Sequence, residues 1–398
     1  MQFTIVWSNK CNLSCDYCCV YDSLNKGSIL TVEDAFKFFD WQLPLYSEEV
    51  PHVIEFFGGE PTLHMTEIEA LMDYIEKNYS NYNISYRIYT NCIFNSKIRD
   101  NDKVWSNFDD IICSIDGMYE DNLLRTKSRK AYDTSIANYL YLQETYQVTG
   151  IAFVLHPESD LRKTFNYFKD MGCRYFHFEI ASLWNDDKDN GITVKYLIKT
   201  FREIHELVLD FNINNLTQND GILFSVPREF LSSRKFFTSE FNHSCLDVMR
   251  SLSPTGNVYF CRDLAVSEFH LEPISTDENV FFKSSDAAKV PFNLKDIHLD
   301  KGSNNFSSKA REYDLMTSCP VKSFEFIHLV GNTPDWILDE DFQDIVAYPM
   351  FELMTDTFSM YLKTERMQDS TYLKLYKQKV ITYGTILEKY EKIYLQNE

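Results

Sequence analysis

Four of the ten cysteines stand within nine residues of one another: Cys11, Cys15, Cys18 and Cys19, in "KCNLSCDYCCV". Thiolates at such spacing serve disulfides, zinc or iron–sulfur chemistry. The first three form C-x3-C-x2-C. Three thiolates on a short loop can hold three irons of a cubane and leave the fourth iron open, whereas iron–sulfur clusters usually take four cysteines. Structural zinc also wants four ligands, with Cys19 as the candidate fourth. Adjacent cysteines point in different directions in most backbones, so Cys19 reads better as a buried or incidental thiol. The opening "MQFTIVWSNKC" has no basic region, long apolar core or small-residue cleavage site, which argues against a secretory signal. A cytoplasmic location follows as the expectation, and thiols are kept reduced there. Disulfides are the weakest of the three answers.

Other chemistry is thinly represented. None of the nine histidines stands in an H-x3-H or H-E-x2-H pair of the zinc-hydrolase kind. His64 and His156 fall near strand ends as lone residues and read as hydrogen-bonded structural groups. Glu179 falls near the end of a sixth strand, toward which a cofactor or substrate would lie. The 398-residue chain carries 39 Lys+Arg against 59 Asp+Glu, a formal charge of −20. That balance argues against nucleic-acid or anionic-membrane partners, which call for clustered basic residues. It suits a small molecule, a peptide or a basic partner. No apolar run reaches the roughly 18–20 residues of a membrane span.

The cysteine cluster directly follows a short apolar run, Gln2–Trp7, which reads as a first strand. Five more candidates follow: His52–Phe57, Ser85–Tyr89, Asp110–Ile115, Thr149–His156 and Tyr175–Ile180, all rich in Ile, Val, Phe and Tyr as buried parallel strands are. Helical segments lie between them. "TVED" at Thr31 and "TEIE" at Thr66 each offer an N-cap hydroxyl with an acid three residues on. Ile192–Phe211 carries one apolar stripe at helical spacing. Six βα units give a parallel sheet, open or curled into a partial barrel, with the working site at the carboxyl ends of the strands. The cysteines, Gly58–Gly59–Glu60–Pro61, Thr90–Asn91 and Asp116–Gly117 all fall at such ends.

C-x3-C-x2-C with the aromatic Tyr17 before its last cysteine resembles the signature of the radical S-adenosylmethionine enzymes. The resemblance implies a partial (β/α)6 TIM-like barrel over residues 1–212. It implies a [4Fe–4S] cluster on Cys11, Cys15 and Cys18 whose open iron chelates S-adenosylmethionine. Cleavage of that cofactor to a 5′-deoxyadenosyl radical and hydrogen abstraction from substrate follow from the resemblance. Tyr17 is then expected near the adenine. Gly58, Gly59, Glu60 and Pro61 resemble the GGEP motif that grips the methionine amino group. Two glycines permit close backbone approach, and Glu60 is the expected acceptor for an ammonium. Ser114 and Asp116 lie in "SIDG", which resembles the ribose-contacting motif of the fourth strand. Asn91 lies in a T-N-G-like motif with Cys92 in place of glycine. Arg125 resembles the arginine of an H-D-x2-R motif, although Asp121 and Asn122 stand where the His-Asp pair belongs. Cys113 and Cys173 read as core thiols.

From about residue 213 the pattern changes. "SLSPTGNVYFC" reads as a hairpin turning at Gly256. Cys245 and Cys261 frame C-x10-G-x4-C, which resembles the opening of a SPASM or Twitch extension. Only Cys319 follows, with Lys322 where a partner cysteine is expected. The count excludes two auxiliary clusters and leaves one auxiliary [4Fe–4S] cluster on Cys245, Cys261 and Cys319, or thiols that merely pack. The expected organisation is a barrel at 1–212, a Twitch/SPASM-like α+β extension at 213–334 and a helical tail at 335–398. The resemblance favours modification of a ribosomally made precursor peptide by crosslink or thioether formation, with a flavodoxin or ferredoxin as reductase. With strand one starting at residue 2, leader recognition is expected to fall to the tail or to another protein. Alternatives are a small-molecule dehydrogenase or cyclase, and a zinc-stapled binding protein without redox activity.

Overall fold

The structure, a computed structural model, describes residues 1–18, 24–146, 149–156, 159–173, 175–180, 194–207, 209–210, 223–225, 249–259, 265, 292–293 and scattered positions between 378 and 395. It divides into two compact units. The first comprises Met1–Cys113, Ser128–Thr149 and Ser239–Val321, and the second Ser114–Lys127, Gly150–Thr238 and Lys322–Glu398.

In the first unit, strands β1 (Gln2–Val6), β2 (His52–Phe57), β3 (Ile84–Thr90) and β4 (Asp110–Ser114) lie side by side in parallel. On the other side of β1 comes β8 (Met249–Leu252), also parallel, followed by the antiparallel β9 (Asn257–Tyr259) and β10 (Phe292–Asn293). The hairpin expected at Gly256 is the β8–β9 turn, and Gly256 holds φ +81 there. The pairing of β8 with β1 joins segments far apart in the chain, which no local pattern announces.

Every residue of β1 is buried, as a strand covered on both faces must be. Phe3 meets Phe38 and Phe39 edge-on, at ring-centroid distances of 6.0 and 5.5 Å. Those two rings belong to the inner face of α1 (Val32–Gln42), which also buries Ala35 and Gln42. The helix begins as its capping sequence dictates: Thr31 accepts from Asp34 N and its hydroxyl donates to the Asp34 carboxylate at 2.8 Å. Helix α2 (Met65–Tyr79) buries Met65, Ile68, Leu71, Met72 and Ile75, one stripe at helical period. It starts one residue before the expected cap at Thr66. Pro61 opens a 3-10 turn over Pro61–His64 that runs straight into α2, so Thr66 already lies inside the first helical turn. Two four-residue helices, α3 (Ser96–Arg99) and α4 (Asp102–Trp105), connect β3 to β4, and α5 (Arg129–Tyr146) completes the described helices of this unit.

The face of the sheet opposite Phe3 carries a polar row. Thr4, Glu55, Arg87 and Asp110 are successive partners across β1 to β4. Thr4 donates to Glu55 at 3.2 Å, Arg87 stands 3.7 Å from Glu55, and Arg87 donates to Asp110 at 2.6 Å. Glu55 is buried, and a buried charge persists only when paired in this way. A one-residue register slip of any strand breaks the row.

In the second unit, β5 (Thr149–Leu155), β6 (Tyr175–Ile180) and β7 (Leu223–Ser225) are parallel neighbours. Helix α6 (Leu161–Asp170) is capped by Asp160 and buries Leu161, Thr164, Phe165 and Phe168. Helix α7 (Val194–Leu207) falls within the segment read at Ile192–Phe211 and buries Ile198, Ile204 and Leu207; the ends of that segment lie outside the described residues. Arg202 of α7 makes a two-pronged pair with Glu391, at 2.7 and 2.8 Å. Within each unit the described strands are mostly parallel neighbours of an α/β sheet.

Candidate cluster and cofactor site

After β1 the chain stays buried through Trp7, Ser8 and Asn9 and emerges at Lys10. Cys11, Cys15, Tyr17 and Cys18 then follow, half-buried, on an irregular loop. A turn bond from Cys18 N to Cys15 O, 3.1 Å, brings the second and third cysteines together. Asn25, at φ +59, clamps the loop's start: its N–H donates to Asn9 O at 3.0 Å and its side-chain oxygen accepts from Cys11 N at 3.1 Å. The Cys11 sulfur receives Leu13 N at 3.4 Å and Asn91 Nδ2 at 3.7 Å. Among the described residues, no three His, Cys, Asp or Glu side chains gather as they would around a single metal ion. Three half-buried thiols on one loop, one of them supplied with N–H donors at its sulfur, are a donor set suited to an iron–sulfur cluster.

The loop after β2 lies directly against this one. Gly59 N donates to Ser8 O at 3.1 Å and Glu60 N to Lys10 O at 2.7 Å. A Cβ on Gly59 would fall 2.1 Å from Lys10 O, and Gly58 holds φ +122. The glycine pair is needed for both reasons: one residue for its backbone conformation, the other for close approach. Pro61 is buried at the start of the 3-10 turn. The Glu60 carboxylate does not open outward as an ammonium acceptor would. It is 2% exposed, and Oε1 accepts from Thr62 N, Thr62 Oγ1 and Thr90 Oγ1 at 3.0, 2.7 and 2.8 Å while Oε2 accepts from Asn91 N at 2.8 Å. Burial pushes this carboxyl up, and the four donors pull it back toward the ordinary range.

His64 stands alone in the sequence, with no partner at a recognisable spacing. In the fold it bonds Ser8 Oγ at 2.7 Å, and that hydroxyl also accepts from Lys10 N at 3.2 Å. His64 therefore ties the cysteine loop to the start of α2. Burial lowers its pKa, against the opposing pull of Glu67. Neither residue belongs to a recognisable spacing, and the one available signal was a polar Ser8 placed directly after an apolar strand.

At the end of β3, Cys92 occupies the glycine position of the T-N-G-like motif. Its φ is +59 and its side chain is fully buried. Thr90 Oγ1 accepts from Cys92 N at 3.0 Å, and Asn138 of α5 donates to both Cys92 O and Phe94 O, at 2.8 and 2.9 Å.

In the second unit, Ser114 ends β4 half-buried, and Asp116 is buried beside Gly117, whose φ is +136. Arg125 forks onto Asp116, Nε to Oδ2 at 3.1 Å and Nη2 to Oδ1 at 2.8 Å. Val154 N donates to Asp116 Oδ1 at 2.9 Å, and Asn122 Oδ1 accepts from Asp116 N at 2.9 Å. Asn122, which departs from the family motif, thus holds the same turn that Arg125 holds. Cys113 and Cys173 are buried, as expected of core thiols. Cys19, Cys245, Cys261 and Cys319 lie outside the described residues, as does the side chain of Glu179. Among the described residues no helix is long and apolar enough to cross a membrane.

A family model described as "Radical SAM superfamily" matches residues 5–168, which takes in both the cysteine loop and the turn held by Arg125. The chain is 34% identical over 202 residues to uncharacterized protein MJ0907 of Methanocaldococcus jannaschii, covering 50% of this chain and 67% of that one. It is 27% identical over 230 residues to the radical SAM cyclopropyl synthase TigE of Paramaledivibacter caminithermalis, covering 48% of this chain and 47% of that one. The match thus spans about half of TigE's length. In fold it resembles native anSMEcpe with bound AdoMet and Cp18Cys peptide, with a TM-score of 0.57 at 17% identity over 99% of this chain and 100% of that chain. The mostly parallel α/β pairing of the strands accords with a partial (β/α)6 TIM-like barrel. The order of motifs along the strand ends, the family match and the fold agree: the chain belongs to the radical SAM superfamily, whose members use a [4Fe–4S] cluster and S-adenosylmethionine.

Proposed function

We propose that the protein is a peptide-modifying radical enzyme acting on a ribosomally made precursor, forming a crosslink, thioether or related bond. When bound, the cluster and S-adenosylmethionine supply a 5′-deoxyadenosyl radical that abstracts hydrogen from the substrate. Cys11, Cys15 and Cys18 would hold the cluster. Gly58 and Gly59 would present backbone to the methionine end of the cofactor, with Pro61 fixing the turn. Glu60 would work through position, since its carboxylate is committed to the ends of β2 and β3. Tyr17, Asn91, Ser114, Asp116 and Arg125 are assigned to the cofactor side, with Arg125 acting through Asp116. Cys245, Cys261 and Cys319 are assigned to one auxiliary cluster within a Twitch/SPASM-like region at 213–334, between the barrel of residues 1–212 and a helical tail at 335–398. A cytoplasmic location and a flavodoxin or ferredoxin as reductase complete the reading. That the similar anSMEcpe structure has both AdoMet and the Cp18Cys peptide bound supports the substrate class.

The observation that carries the reading is the pinning of a three-cysteine loop against Gly59 by two short backbone bonds. Anaerobic reconstitution with iron and sulfide tests it, comparing wild type with the triple Cys11/Cys15/Cys18→Ala variant. About eight irons per chain falling to about four supports both sites. About four falling to none keeps the radical enzyme and removes the auxiliary cluster. Absence of iron with one zinc bound would overturn the reading. A peptide substrate is then sought among short precursor peptides by mass change in the presence of S-adenosylmethionine.

A further inference from the structure

We infer that the side-chain amide of Asn91 is a built-in hydrogen-bond donor to the Cys11 sulfur that raises the reduction potential of the cluster, with Glu60 as its positioning residue. This rests on the reading that Cys11 is a cluster ligand.

Every polar atom of Asn91 has an assigned role. Its N–H is held by Glu60 Oε2 at 2.8 Å and its carbonyl accepts from Ser135 Oγ at 2.6 Å. Its side-chain oxygen accepts from Ile93 N at 2.8 Å. Ile93 N is a donor only, so the amide's orientation is fixed by the network rather than being interchangeable. Nδ2 must then point the other way, toward Asn12 Oδ1 at 2.7 Å and Cys11 Sγ at 3.7 Å. Asn12 is itself held, because its Nδ2 donates to Ile93 O at 2.6 Å. Asn91 is 6% exposed, so water competes little for its N–H groups. A donor fixed at a ligand sulfur stabilises the state with more negative charge there, which for a cluster is the reduced one. The amide therefore favours uptake of one electron from the reductant.

The test is the midpoint potential of the reconstituted cluster without substrate, from an anaerobic redox titration followed by electron paramagnetic resonance. Asn91→Ala removes the donor, and Asn91→Asp keeps an acceptor for Ile93 N while placing a carboxylate beside the sulfur. Both should lower the one-electron equilibrium constant, Ala by roughly tenfold, equivalent to about 59 mV, and Asp by more. Ser135→Ala removes a bond to Asn91 but leaves the amide alone, and its potential should match wild type. An unchanged potential in both Asn91 variants at full iron content would overturn the inference. So would an equal shift in Ser135→Ala, which would make the effect merely structural. Should the Asn91 variants fail to load, the wild-type cluster decides. Protein labelled with 15N-asparagine should show a hyperfine coupling to an amide nitrogen in the reduced state, and its absence overturns the inference. A wild type that binds no iron would instead bring down the reading of the cysteines.

Discussion

Gly59→Ala should dislodge the cysteine loop. The added Cβ would fall 2.1 Å from Lys10 O, 2.6 Å from Lys10 C and 2.7 Å from Asn9 C. All three are backbone atoms, so no side chain can rotate away. The loop must retreat by close to an ångström, and the retreat lengthens the bonds Gly59 N to Ser8 O and Glu60 N to Lys10 O. Overpacking of this kind costs about 1–3 kcal/mol and each net hydrogen bond about 1 kcal/mol, so a loss of roughly 3–5 kcal/mol is expected. Gly256→Ala is the control. Its φ of +81 disfavours a side chain, but nothing lies within 4 Å of the added Cβ, so about 1 kcal/mol is expected. Urea unfolding of the apo-protein measures both, and iron per chain after reconstitution measures the consequence for Cys11. A Gly59→Ala protein within about 0.5 kcal/mol of wild type, loading full iron, would refute the close-approach reasoning.

Arg125→Ala should cost about 3–5 kcal/mol in chemical denaturation, because it strands the buried Asp116 carboxylate. Arg125→Lys should fall between that and wild type, since lysine keeps the charge but not the two-pronged geometry. Equal stability of all three would contradict the ion pair. Burial holds the pKa values of His52 and His64 below the usual 6.5, opposed by the Ser47 carbonyl and by Glu67 respectively. Below about pH 6.5 the unfolded chain therefore takes up protons that the folded chain refuses. Stability should be full above that pH and fall on acidification. Melting temperatures between pH 7.5 and 5.5 should show this, and His52→Gln should flatten the slope. Cys92→Gly relieves a left-handed residue worth about 1–2 kcal/mol and forfeits a similar amount of burial, so it should be near neutral. Cys92→Val keeps the strain and adds a β-branch, and should lower the melting temperature clearly. The reverse order would show that φ +59 is not a source of strain.

Strand placement was legible where apolar runs were bounded by turn residues: β2 and β6 coincide with their expected limits, and the other four of that series differ by one residue at one or both ends. The Thr31 cap was legible because a side-chain N-cap is a local arrangement. Thr66 misled because Pro61 starts a helical turn five residues earlier, which no capping pattern announces. The partnership of β8 with β1 joins residues about 250 apart, and nothing in a short hairpin reveals the strand it will lie beside. Cysteine spacing pointed to the loop, but the working positions of Glu60 and Asn91 came only from the fold. A carboxylate in a motif reads as an exposed acceptor until its four donors are seen around it. The row Thr4–Glu55–Arg87–Asp110 left one trace, a glutamate in the middle of an apolar run, whose meaning depends on register across four strands.

The pairing of β8 with β1 also sets a timetable for synthesis. One side of β1 meets β2 after some fifty residues, but its other side waits for Met249–Leu252. At the usual elongation rate of about 5–20 residues per second, that edge stays unpaired for roughly 12–50 s after the first strand is made. An open parallel edge invites pairing with other chains. The strand that carries the cysteine loop is thus secured late, and a cell making this protein has reason to shield the nascent first unit and to deliver iron and sulfide only after residue 252 has been added.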